Sequence, residues 1–299
     1  MSEAPGHPHL RVLAIGGSGV VGHLVLPQLA RRHWIRVFDL NPPGDGAAEF
    51  FIGGVSDAAA LRQASRGMDV VLYMAAGRDR RDNRDHWETD AAHTAAFDVN
   101  VRGVHLALRA AQQVGVMHAV YASSMSVYDA IDSLTTNPLY FADEDLPPDA
   151  GKIYGFTKRL GEEVCRTACR AWGMSVNVLR LCHPLADTDW YEETRDGQAT
   201  IAIAASDLAR ALDAAFIYRA GFQAFTISGD YTERWMSLAK AKERLGWEPL
   251  ARPCSAAAEE QHGQARSSAA CPSRSAGQRL SARRVVALLK SYAARLSRG

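Results

Sequence analysis

A short apolar run, RVLAI (Arg11 to Ile15), passes directly into GGSGVVG (Gly16 to Gly22), which opens an amphipathic stretch from Val21 to Arg32. A strand that turns through glycines straight into a helix fixes two elements and the join between them. The alternation then continues. Trp34 to Phe38 reads as a second strand, Val70 to Ala75 as a buried one, and Ala91 to Gln113 as a long helix. A strand at His118 to Ala122, a helix at Ile153 to Trp172 and a strand at Ser175 to Leu181 follow. Ser206 to Arg219 and Arg234 to Leu245 read as helices, with one more strand at Ala224 to Ser228. Strands alternating with helices of this length imply βαβ units, a parallel sheet and right-handed crossovers.

The glycine turn also carries chemistry. Gly16, Gly19 and Gly22 allow a tight turn and close backbone approach, so a pyrophosphate can sit on the helix N-terminus. The next strand ends in Asp39, whose carboxylate can accept from the ribose hydroxyls of NAD and would repel the 2′-phosphate of NADP. The bland alternative is an aspartate that caps a strand end. The predicted fold class is therefore α/β, a Rossmann-type doubly wound parallel sheet with a small C-terminal substrate lobe and a basic tail. Residues 1–180 are assigned to the NAD-binding domain, 181–250 to the substrate lobe and 251–299 to the tail.

Composition bounds the rest. The 47% hydrophobic and 22% charged fractions are those of a globular chain. Residues 251–299 carry eight Arg and one Lys against two Glu, a balance of +7, which leaves −6 for the first 250 of a chain whose net charge is +1. An acidic body argues against nucleic-acid binding. No apolar run reaches the length of a membrane span, and MSEAPGHPHL has no signal-peptide pattern, so a cytoplasmic protein is expected. The five cysteines have no framework spacing and read as free thiols, Cys165 and Cys169 as small buried hydrophobes. His86 and His93 lack a third ligand, so no metal is expected. The tail is rich in Ala, Ser, Arg and Gly, a composition that predicts disorder, with a basic amphipathic helix at Ala282 to Leu296. Its abrupt onset also fits a shifted reading frame or a fusion scar.

Tyr154 and Lys158 stand four residues apart at the start of a helix, so phenol and ammonium share one face. Shifting a tyrosine pKa from about 10 to about 7 needs roughly 4 kcal/mol. One cation at about 4 Å, at an effective dielectric of about 20, supplies that much. YASSMSVY (Tyr121 to Tyr128) ends a strand in serines, where an open parallel sheet binds ligands. Ser124 can hold a substrate oxygen there, beside Tyr154.

With these motifs the sequence resembles the extended short-chain dehydrogenase/reductase superfamily, in its NAD-dependent epimerase/dehydratase branch, over about residues 10–250. VLAIGGSGVVG, VLYMAAG, NVRGVHLAL, YASSMSVY, YGFTK and KAKERLGWEP are all similar to blocks of that family. The resemblance implies Ser124, Tyr154 and Lys158 as a catalytic triad, with Asn100 supporting the proton relay. It implies cofactor contacts from Gly16, Gly19, Val20, Val21, Gly22, Asp39, Val55, Asp57, Ala75, Ala76, Gly77, Tyr154 and Lys158, and substrate contacts from Ser124, Ser126 and His183. It also implies a homodimer through the helices at Ala91 to Gln113 and Ile153 to Trp172.

Several departures narrow the function. The acidic adenine contact after the third strand falls on Gly54. Met125 and Ser126 replace the Asp-Glu pair of the 4,6-dehydratases. His183 stands where nucleotide-sugar epimerases carry asparagine, and Pro184 to Ser206 is short, as in uronate dehydrogenase-like members. His183 reads either as a substrate contact or as a structural residue. The charged run Arg78 to Asp85 reads as a solvated loop or as a substrate-facing one. These readings imply NAD-dependent oxidation of a secondary hydroxyl of a sugar or sugar acid. The alternatives are a UDP-sugar epimerase that retains NAD and a non-catalytic NAD-binding sensor.

Overall fold

The computed structural model describes residues 9–77, 79–81, 84–87, 89–128 and 143–253. In chain order these form β1 (Arg11–Ile15), α1 (Val20–Leu29), β2 (Trp34–Asp39), β3 (Glu49–Ile52), α2 (Ala58–Ser65) and β4 (Val70–Tyr73). A hairpin of β5 (Asp79–Arg81) and β6 (Arg84–His86) precedes α3 (Asp90–Phe97), a π-turn (Asp98–Gly103) and α4 (Val104–Gln113). Then come β7 (His118–Ser124), α5 (Ile153–Trp172), β8 (Ser175–Leu181), β9 (Pro184–Leu185) and α6 (Asp187–Glu193). The described chain closes with β10 (Ile203–Ala204), α7 (Ala205–Ile217), β11 (Phe222–Ile227) and α8 (Ala239–Leu245).

Seven strands make one parallel sheet in the order β3-β2-β1-β4-β7-β8-β11. The order reverses between β1 and β4, so the crevice outside their carboxyl ends is the place such sheets bind ligands. Helices cover both faces, and the central strands are correspondingly apolar on both sides. Val12 and Ala14 of β1 pack into one core with Leu26 of α1 and Leu208, Leu212 and Phe216 of α7. Leu13 and Ile15 point into the other, with Val104 and Leu108 of α4 and Ala168 of α5.

The stretch 181–250 divides between two roles. β11, α7 and α8 complete the main sheet and its first core, whereas β9, β10 and α6 form a small lobe around Trp190. Trp190 donates its indole N–H to the Ala202 carbonyl at 2.7 Å. Ala251 packs into the same cluster, and its amide donates to Asp207 at 2.9 Å, so ordered packing runs past residue 250.

Three expectations need correction. The helix expected at Ala91 to Gln113 is interrupted by the π-turn. The Tyr73 hydroxyl donates to the Val99 carbonyl at 2.6 Å, taking the acceptor that an α-helix would offer to the Gly103 amide. The helix expected from Arg234 starts only at Ala239, because Asp230 accepts from the Trp235 and Met236 amides at 2.7 and 3.2 Å and Glu233 accepts from the Leu238 amide at 3.0 Å. The run Arg78 to Asp85 is not simply loop, since its described backbone pairs as the β5–β6 hairpin. Arg78 itself and Ala282 to Leu296 lie outside the described residues. Among the described residues no helix is long and apolar enough to cross a membrane.

Candidate active site

The glycine turn brings β1, α1 and β4 into backbone contact. Gly16 has φ +80°, and a Cβ there would stand 2.3 Å from the Ala75 amide nitrogen. A Cβ on Gly22 would meet the Gly17 carbonyl oxygen at 1.9 Å. Gly19 is the N-cap of α1 and no side chain caps that end, so the amides of Val20, Val21 and Gly22 head the helix without a side-chain partner. A bound pyrophosphate fits such an end. Asp39, half-buried at the end of β2, accepts from the Ser18 amide at 3.0 Å and the Asn41 amide at 3.2 Å. A carboxylate offers about four lone-pair sites, so this one is oriented yet keeps capacity for ribose hydroxyls.

Two of the cofactor expectations meet other partners. Asp57 is the N-cap of α2, its Oδ1 accepting from the Ala59 and Ala60 amides at 3.0 and 2.9 Å. Val55 packs toward the helical layer, close to where a Cβ on Gly103 would stand. Beyond β4, Ala75 abuts the glycine turn, Ala76 is half-buried, and the Gly77 amide donates to Asn100 Oδ1 at 3.0 Å. Asn100, fully buried in the π-turn, donates its Nδ2 to Thr157 Oγ1 at 3.0 Å. It thus ties the end of β4 to the first turns of α5.

On the other side of the crevice, α5 carries Tyr154 and Lys158 on one face. Lys158 is buried and donates Nζ to the Ala122 carbonyl of β7 at 2.8 Å. Its ammonium stands 5.0 Å from the Tyr121 ring centre and 6.0 Å from that of Tyr154. Gly155 brings this helix onto the turn after β7, since a Cβ there would lie 1.9 Å from the Ser126 carbonyl oxygen. Ser124 Oγ accepts from the Ser126 amide and donates to Ser126 Oγ, both at 3.1 Å. The structure therefore gathers Ser124, Ser126, Tyr154 and Lys158 at the carboxyl end of β7, with Asn100 joined to α5 behind them.

His183 follows β8 at the same end of the sheet. Its φ of +41° lies in the left-handed region that asparagine and histidine tolerate better than most residues. Burial pushes its imidazole below the usual histidine range, against the opposing charge of Glu193. Cys165 and Cys182 are buried and Cys169 half-buried, and burial raises all three thiols, Cys182 to about 12. Among the described residues no group of three or more His, Cys, Asp or Glu can hold a metal ion.

Two features escaped the sequence reading. Trp87 packs against Tyr154 at 5.1 Å between ring centres, and it was the one large apolar residue in a charged run. Glu162 and Arg180 form a buried ion pair behind Lys158. Glu162 lies a further four residues along the Tyr154–Lys158 face, a spacing that sequence alone displays.

The fold and the glycine turn are those of a dinucleotide-binding α/β protein. A model of the NAD dependent epimerase/dehydratase family matches residues 12–221, and the chain belongs to that family; its cofactor is NAD. Among curated relatives, a 3 beta-hydroxysteroid dehydrogenase/Delta 5-->4-isomerase of Mycobacterium tuberculosis is 38% identical over 39% of this chain and 32% of its own length. An N-acetyl-alpha-D-glucosaminyl-diphospho-ditrans,octacis-undecaprenol 4-epimerase of Escherichia coli O157:H7 is 33% identical over 52% of this chain and 42% of its own. An L-arabinose 1-dehydrogenase (NAD(P)(+)) of Haloferax volcanii is 27% identical over 64% and 74%. The match thus spans less than half the length of the first two relatives.

Solved structures share the fold. A mutated uronate dehydrogenase aligns with a TM-score of 0.64 at 21% identity, over 86% of this chain and 88% of that one. A UDP-N-acetylglucosamine 4-epimerase from Bacillus cereus gives 0.64 at 17% identity, over 81% and 92%. A short-chain dehydrogenase/reductase superfamily protein from Agrobacterium tumefaciens with bound NAD gives 0.65 at 22%, over 81% and 93%.

Proposed function

We propose that this protein oxidises a secondary hydroxyl of a free sugar or sugar acid, with Tyr154 taking the hydroxyl proton. The observation that carries this reading is the Tyr154–Lys158 face of α5, seated on the serine turn at the end of β7. Lys158 cannot swing away, because its ammonium is buried and bonded to the Ala122 carbonyl. With 6.0 Å as the scale of its separation from Tyr154, one cation gives about 3 kcal/mol at an effective dielectric of about 20. That is roughly two-thirds of what the phenol needs to titrate near neutrality. Oxidised NAD, when bound, accepts the hydride and adds a second positive charge. Gly16, Gly19, Val20, Val21 and Gly22 would hold its pyrophosphate, Asp39 its adenosine ribose, and Lys158 its second ribose. Ser124, oriented by Ser126, holds the substrate oxygen while its proton passes to Tyr154 Oη. Asn100 keeps the Gly77 amide and α5 in register through Thr157.

The preference for a free sugar rests on charge. A nucleotide sugar brings a diphosphate that needs cations or amides. The segment 184–206 offers Asp187, Asp189, Glu192, Glu193 and Asp196 against Arg195, which is itself paired with Glu192. A sugar acid needs a cation for its carboxylate as well, so neutral sugars head the panel. The test is a thermal-shift screen, with saturating NAD, of neutral sugars, uronic acids, UDP-sugars and a 3β-hydroxysteroid. Stabilisation by a free sugar or uronic acid supports the reading. Stabilisation by UDP-sugars or the steroid alone rejects it.

A further inference from the structure

Glu162 stands two helical turns beyond Tyr154 on α5, and its carboxylate is the centre of a buried network. Arg180 of β8 donates Nη2 to Glu162 Oε2 at 2.9 Å and Nε to Oε1 at 3.1 Å. Ser123, the neighbour of Ser124, donates Oγ to the same Oε1 at 2.7 Å. Arg180 Nη1 reaches the Tyr128 hydroxyl, which donates to the Asp143 carbonyl at 2.6 Å. Every side chain in this chain of bonds is buried. A buried ion pair contributes little net stability, because desolvation offsets most of the attraction. Its consequence lies in what it orients and in the field it leaves. The pair joins the strand that ends in Ser124, the helix that carries Tyr154 and Lys158, and the strand that leads to His183.

We infer that Glu162 and Arg180 are positioning residues which cancel each other's charge beneath Lys158, so that the phenol of Tyr154 feels the lysine cation with no competing field. This rests on the reading of Tyr154 as proton acceptor. The other titratable groups facing this interior are Lys158 and Cys165 on α5, Tyr121 on β7, Tyr128 after it, Glu144, and Lys240 on α8. Burial holds Tyr121 and Cys165 well above their ordinary values, so neither adds charge while Tyr154 titrates. Burial alone would lower the Arg180 guanidinium, and the hydrogen bonds and charge of Glu162 more than reverse that, so the guanidinium stays charged. Eight residues of helix separate Glu162 from Tyr154 by about 12 Å. At that distance an uncompensated unit charge shifts a titration by about one unit at an effective dielectric of about 20.

The test needs no substrate. Tyrosinate ultraviolet absorbance is followed against pH in NAD-loaded protein, and subtracting the same titration of a Tyr154→Phe partner isolates Tyr154. Glu162→Gln leaves the guanidinium unbalanced and should lower the Tyr154 midpoint by about half a unit to one unit. The double variant Glu162→Gln/Arg180→Met removes both charges and should return the midpoint to within about 0.2 of the native value. Arg180→Met alone leaves the carboxylate and should raise it above the double variant, which reads the same charge from the other side if Glu162→Gln does not fold. Equal midpoints in the folded variants would overturn the inference and leave the proposed function standing. Native protein lacking any Tyr154-dependent titration below the ordinary tyrosine range would overturn both.

Discussion

The two halves of the crevice are built by different means. Around β1, β2 and β4 the surfaces are main chain, brought close because Gly16 and Gly22 carry no side chain and Ala75 almost none. Around β7, α5 and β8 they are buried charged and polar side chains, namely Lys158, Glu162, Arg180, Ser123 and Ser124. Backbone amides and small residues suit a ligand that is the same in every turnover. Charged side chains set proton affinity and the position of a hydroxyl, which the chemistry must control. Damage to the first half should therefore appear in cofactor affinity, and damage to the second in turnover.

The largest effect is expected in the second half. Tyr154→Phe should lower turnover by about 10²-fold or more while NAD affinity, measured by titration calorimetry, stays within a few-fold. Gly22→Ala should do the reverse. Its methyl cannot fit 1.9 Å from the Gly17 carbonyl oxygen, so the turn must shift. NAD affinity should fall by at least about tenfold, with any turnover reached at saturating NAD close to native. If Gly22→Ala left NAD affinity unchanged, the first half would not be the cradle described. Asp39→Ala should act more gently on the same half, narrowing the preference for NAD over NADP to about tenfold or less. Equal native affinity for both cofactors would remove the role given to Asp39.

The smallest effect lies outside both halves. A chain ending at Pro253 keeps the Leu250 and Ala251 amides on the buried Asp207 carboxylate, and its Tm should stay within about 2 °C of the full chain. A chain ending at Pro249 leaves that carboxylate short of two donors, about 1–3 kcal/mol, and should melt several degrees lower. Equal melting of both would mean the Asp207 clasp contributes nothing.

Most of the sheet was legible because its central strands are apolar on both faces and α4, α5 and α7 have a clear 3.6-residue period. The ranges expected for α5 and β8 coincide with those observed, helped by Gly173 at φ +68°, which ends α5 in the left-handed region. Local periodicity failed where side chains take up backbone groups that a regular helix would use. The Tyr73 hydroxyl that opens the π-turn belongs to a strand 26 residues earlier than Val99. Asp230 and Glu233 unwind the start of α8 by offering its amides nearer acceptors. Within the site, motif spacing placed Tyr154, Lys158 and Ser124 together, because one helix face and one strand end suffice to do so. It could not place Trp87 on Tyr154 or pair Glu162 with Arg180, since those contacts join elements far apart in sequence. Asp57 shows a second, local role that spacing also permits, since its Oδ1 caps its own helix.

The proposed function requires that a free sugar be oxidised with release of NADH and that Tyr154 take the hydroxyl proton. The direct measurement is absorbance at the NADH band when protein and NAD meet neutral sugars, uronic acids and UDP-sugars in parallel, with Tyr154→Phe as the control. NADH should accumulate steadily with a free sugar or uronic acid, and this should be lost in the control. A UDP-sugar converted to its epimer with no NADH accumulating, and free sugars inert, would contradict it.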